Sequence, residues 1–116
     1  GPVPMPCPQL PTPLPTFDEL IGVDGCTEAT VAAEVLEHSA VPARHGHVFT
    51  LHAELEGMRL RRAFEYLLQL WIERGVQLCS MRDLYLSQSA RLPVCTVRYR
   101  EILGRSGRLA CQGDPQ

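Results

Sequence analysis

The chain has 116 residues, enough for one domain and too few for two. Hydrophobic residues make up 45% and charged residues 21%, the balance of a globular protein, and a net charge of −2 argues against general nucleic-acid binding. No run approaches the ~18 consecutive apolar residues that a membrane-spanning helix needs.

All 11 basic residues are arginine, and four of them (Arg98, Arg100, Arg105, Arg108) fall in one C-terminal stretch. Such a cluster suits a solvated surface or a contact with phosphate or carboxylate. The five cysteines (Cys7, Cys26, Cys79, Cys95, Cys111) are odd in number and lack C-x-x-C spacing, which excludes a disulfide framework or a zinc ribbon and fits a reducing compartment.

Residues 1–15 hold seven of the ten prolines and read as an extended lead-in. Thr16-Phe17-Asp18-Glu19 forms a capping box that starts a short helix, with Gly22 to stop it. Thr27 is expected to cap a second helix over about 28–39, with Val31, Val35 and Leu36 buried. Val48 to His52 is the first expected strand. A long helix follows, roughly Met58 to Arg74, with Leu60, Phe64, Leu67, Leu68, Trp71 and Ile72 on one face and Gly75 behind it. Val76 to Cys79 is a second expected strand, and Ser80 caps a short helix with Asp83 at its third position. A further strand, Val94 to Arg100, leads into Gly104-Arg105-Ser106-Gly107.

The middle of the chain thus predicts a parallel strand–helix–strand–helix core over 16–91, followed by a tail over 92–116. Two or three strands are few for a parallel sheet, which needs cover on both faces. The expectation is that the chain is the C-terminal part of a larger α/β domain.

Within this order His52 is the residue with the most chemical promise. It closes a strand that leads into a helix, where α/β proteins carry polar side chains that do chemistry. It reads either as a general acid or base or as a hydrogen-bonded, idle histidine. Glu54 and Glu56 follow it, and either steadies the imidazole or serves as a helix N-terminal charge. His45 and His47 resemble a metal pair by spacing, but a loop at Gly46 and opposite strand faces set them apart from each other and from His52. His38 suits a helix C-terminus.

Several strings, in order along nearly the whole chain, carry a resemblance. They are Leu14-Pro15-Thr16-Phe17-Asp18-Glu19-Leu20-Ile21-Gly22, Val48-Phe49-Thr50-Leu51-His52-Ala53-Glu54-Leu55-Glu56-Gly57, Gly75-Val76, and Gly104-Arg105-Ser106-Gly107. Together they resemble the C-terminal portion of the polysaccharide-deacetylase (NodB-homology) family, in particular its members that deformylate a lipid-linked formamido sugar. The His-Ala-Glu-x-Glu-Gly string is the most specific part. Arg108 departs from the pattern, standing near a position where an aromatic residue is expected.

The resemblance implies the C-terminal portion of a distorted (β/α) barrel. It implies an amidohydrolase acting on undecaprenyl-phosphate 4-deoxy-4-formamido-L-arabinose at the cytoplasmic face of the bacterial inner membrane, in the modification of lipid A. His52 matches the family histidine that protonates the leaving amine. The intact enzyme would use a divalent metal, whose ligands belong to a portion of the family without counterpart here, so no residue of this chain is assigned to it. Arg105 would approach the substrate phosphate. The implied partners are the lipid-linked amino sugar and the inner-membrane surface, with no nucleic acid. Two other readings stand beside this one: a different polysaccharide N-deacetylase, and a non-catalytic remnant or binding module.

Overall fold

A capping box opens the folded part of the chain. In the computed structural model, which describes residues 3, 5–88 and 92–116, the Glu19 amide donates to the Thr16 hydroxyl oxygen at 3.4 Å and the Thr16 amide donates back to Glu19 Oε1 at 3.3 Å. Two orphan donors of helix α1 (Phe17–Leu20) are satisfied reciprocally, and Phe17 points into the core with no exposed surface. Parts of the proline-rich lead-in (1, 2 and 4) and the end of the expected 16–91 core (89–91) lie outside the described residues.

Helix α2 (Val31–Ala40) begins three residues later than expected, because residues 28–30 form a turn closed by the Thr27 carbonyl, which accepts from Thr30 and Val31. Its buried stripe is Val31, Ala32, Val35 and Leu36. Helix α3 (Arg61–Glu73) is preceded by a π-helical turn at Leu55–Arg59, in which the Leu60 amide reaches the Leu55 carbonyl at 2.7 Å. Leu60, Leu67 and Trp71 are buried and Phe64 and Leu68 half-buried, as the periodicity requires. Ile72, expected on the same face, is exposed: it lies one step of ~100° beyond Trp71, past the edge of the stripe. Helix α4 (Met81–Ser87) is capped by Ser80, whose hydroxyl accepts from the Asp83 amide at 3.1 Å.

The core lies between α1, α2 and α3. Phe49 is its hub, with ring centroids 5.4 Å from Phe17, 6.2 Å from Phe64 and 5.8 Å from Trp71. The Trp71 indole N–H donates to the Ser39 hydroxyl at 2.8 Å, so the buried polar edge of the ring is satisfied.

The expected strands at 48–52 and 76–79 do not form a ladder among the described residues. Val48 takes one backbone bond, from Leu14 at 3.4 Å. The two segments instead flank a cavity of about 380 Å³, lined also by Phe64, Trp71 and Leu84. Two isolated parallel strands gain few hydrogen bonds and leave both edges open; Phe49 packs the first segment on the core, and residues 76–79 are exposed. The sheet that does form is antiparallel. It pairs strand β1 (Cys95–Glu101) with strand β2 (Arg108–Pro115), and the second of these was not expected. Val97 and Tyr99 on β1 are well exposed, and the radius of gyration, 15.7 Å, exceeds the ~13 Å of a compact 100-residue domain. No helix among the described residues is long and apolar enough to cross a membrane.

The contrast between the two ends of the packing scale is measurable. Leu67→Ala should cost about 3 kcal/mol, whereas Leu86→Ala, on the open face of α4, should stay within about 0.5 kcal/mol. Urea unfolding of both variants checks this, and equal losses would contradict the core described above.

Candidate functional site

His52 ends the extended segment and begins the turn into α3. Its carbonyl accepts from the Leu55 amide at 3.0 Å and the Glu56 amide at 2.9 Å. Phe49, three residues earlier, fastens the segment to the aromatic core, which carries the imidazole to the end of α1. There His52 Nδ1 lies 3.7 Å from Asp18 Oδ1 and 3.9 Å from Glu56 Oε2. Both separations are ion-pair distances and longer than a hydrogen bond, and Nδ1 is buried without a hydrogen-bond partner. The imidazole is otherwise open, with 30% of the side chain exposed.

A fourth group closes the site. Gly104 adopts φ +87°, and a Cβ there would overlap the Glu19 carbonyl oxygen. Glycine therefore lets the β1–β2 loop press its backbone onto α1. The next residue, Arg105, sets its guanidinium 3.5 Å from Asp18 Oδ2 and 3.5 Å from Glu19 Oε1. Asp18 thus stands between a histidine on one oxygen and an arginine on the other.

The Asp18 carboxyl is held below its ordinary value of 3.8. Partial burial pushes it up, but hydrogen bonding to the Thr16 side chain and to its own backbone amide, with the charges of Arg105 and His52, outweighs that push. Because the folded value is the lower one, ionised Asp18 stabilises the fold above pH 3.8, and that contribution is lost as pH falls through the depressed pKa.

Of the expected site residues, His52, Glu56 and Arg105 come together and Glu54 does not. Glu54 is exposed and has no side-chain partner among the described residues. His45 and His47 turn to separate partners: His45 Nδ1 to Gln88 Oε1 at 2.9 Å, and His47 Nε2 to the Val41 carbonyl at 2.6 Å. His38 is exposed in the last turn of α2. No group of three or more His, Cys, Asp or Glu side chains among the described residues is placed to hold a metal ion.

Asp18 is the residue that sequence reasoning missed as a site member. It reads as an ordinary first-turn acid, and its partner lies 34 positions away, so no local pattern joins them. Glu56 had a signal. Stepping the buried stripe of α3 back four residues from Leu60 lands on Glu56, a carboxylate in a core position.

Comparison with curated proteins finds a relative from Wigglesworthia glossinidia brevipalpis that is 32% identical over 104 residues, 90% of this chain and 36% of that protein. Another, from Shewanella sediminis (strain HAW-EB3), is 33% identical over 105 residues, 90% of this chain and 34% of that protein. Both carry the name probable 4-deoxy-4-formamido-L-arabinose-phosphoundecaprenol deformylase ArnD. Nine-tenths of the chain resembles ArnD deformylases. It spans about a third of the length of these ArnD relatives. No family model matches the chain, and no solved structure matches it.

The role of Arg105 can be measured on the chain itself. In a carboxyl-carbon NMR titration the Asp18 midpoint should lie below 3.8 and rise in Arg105→Ala. An identical midpoint in the two proteins would remove Arg105 from the site.

Proposed function

We propose that this chain is part of an amidohydrolase that removes the formyl group from a lipid-linked 4-formamido sugar, with His52 as the general acid. The observation that carries this reading is the placement of His52: Nδ1 is buried facing Asp18 and Glu56, and the exposed part of the ring is elsewhere. The likeness to the two ArnD relatives supports the substrate class.

The chemistry explains why such a histidine is needed. Addition of water to a formamide carbon gives a tetrahedral intermediate. It collapses to formate and amine only if nitrogen leaves as a neutral amine, because an amide anion is a very poor leaving group. A proton given to that nitrogen from His52 Nε2 meets the requirement, and the proton on Nδ1 remains facing the carboxylates. The exposed part of the Arg105 guanidinium is available to the phosphate of the lipid-linked substrate.

The reading extends to the whole protein. A divalent metal belongs to it through the family resemblance; the described side chains here do not form a ligand set, and no step above is routed through one. The chain would supply the C-terminal portion of a NodB-like (β/α) barrel working at the cytoplasmic face of the inner membrane. Its product would serve the addition of aminoarabinose to lipid A, which weakens the binding of cationic antimicrobial peptides.

In a full-length relative, alanine at the histidine aligned with His52 should lower turnover of the formamido substrate by about 10²–10⁴-fold. A near-normal rate would sink the assignment. The same enzyme should prefer a formamido sugar to its acetamido counterpart, and the opposite preference would move the protein to the N-deacetylases.

A further inference from the structure

Glu56 is the one charged residue buried among the described residues, with no exposed side-chain surface. An ionised carboxylate at a core position is costly unless its oxygens are engaged. A leucine or methionine would fill the same volume without that cost, so packing alone does not account for a glutamate here.

Its bonds point to His52. The His52 amide donates to Glu56 Oε2 at 2.6 Å, and the Glu56 amide donates to the His52 carbonyl at 2.9 Å. The two residues therefore clasp each other's backbone, and the histidine's main chain is held at both its N–H and its C=O. The same Oε2 lies 3.9 Å from the imidazole Nδ1. Two buried atoms here have no hydrogen-bond partner: Glu56 Oε1 and His52 Nδ1. The π-helical turn that carries Glu56 is a form that recurs at functional sites.

We propose that Glu56 is a positioning residue for His52: its buried carboxylate clamps the His52 backbone and, with Asp18, keeps one proton on Nδ1, so that the second proton, taken up when the ring becomes imidazolium, is carried on Nε2 and given from there to the substrate. The catalytic consequence rests on the reading of His52 as proton donor; the clamp and the tautomer do not. Glu56 acts through His52 and touches no reacting atom.

The test uses the 116-residue chain, with the His52 ring nitrogens read by proton–nitrogen NMR and its amide by hydrogen exchange. Glu56→Gln keeps the shape and an acceptor for the amide but removes the charge. It should retain slow exchange at His52 while the Nδ1–H tautomer loses population. Glu56→Ala removes both and should speed exchange of the His52 amide at least about tenfold, the factor a charge-assisted hydrogen bond represents. Glu54→Gln, at an exposed position, should change neither reading. A His52 ring that keeps the same tautomer in Glu56→Gln overturns the proposal, whatever Glu56→Ala does to folding.

A second arm separates this inference from the function it serves. In a full-length relative, glutamine at the position aligned with Glu56 should lower kcat with KM unchanged. If the ring tautomer responds in the chain but no relative loses turnover when its His52 counterpart is replaced, the deformylase reading fails and the positioning role stands.

Discussion

The packing of Phe49 against Phe17, Phe64 and Trp71 is the contact on which the site depends. The segment that carries Phe49 has no strand ladder to hold it; it is tied at its ends by the Leu14–Val48 and His52–Glu56 bonds and seated in its middle by one aromatic ring among three others. Aromatic pairs add about 0.5–1.5 kcal/mol each beyond the area they bury, and that burial adds its own share. Asp18 follows Phe17 directly and His52 follows Phe49 by three residues. Bringing the two rings together brings the Asp18 and His52 side chains together.

Around that anchor the polar groups are arranged by sign. Asp18 is shared between His52 and Arg105, and Glu56 approaches the same imidazole from below, out of water. Carboxylates on one side of a histidine and solvent on the other give the ring a fixed polarity. The arrangement draws on three separate stretches of chain: a first-turn acid, a strand-like segment with its turn, and a hairpin loop. Each is held by a different local device, namely a capping box, a π-helical turn and a glycine with positive φ.

Local chemistry made much of the helical part legible. Thr16 and Glu19 announced α1, the apolar spacing announced α3, and Ser80 announced α4, since caps and periodicity are decided by neighbours within one or two turns. The strands were harder. Apolar runs at 48–52 and 76–79 match a parallel-strand pattern, but a ladder depends on what lies beside the run, and here that is a cavity and the face of α3. Strand β2 was missed because Arg108 to Pro115 mixes Gly, Pro and charged residues that argue against a strand, and its partner is supplied by β1 seven to twenty residues earlier. In the site, His52 stood out by position, whereas Asp18 came into view only through its distance from the imidazole.

The hairpin meets the helical body through its loop, at Gly104 and Arg105. Neither β1 nor β2 packs on a helix among the described residues, yet the loop between them lies on the backbone of Glu19 at Gly104. The strands stand clear of the helices, and their connecting loop makes the contact. Arg105 at the tip of the hairpin faces one oxygen of Asp18, and the His52 imidazole faces the other. The hairpin loop and the imidazole thus share one carboxylate, although they lie far apart in the chain.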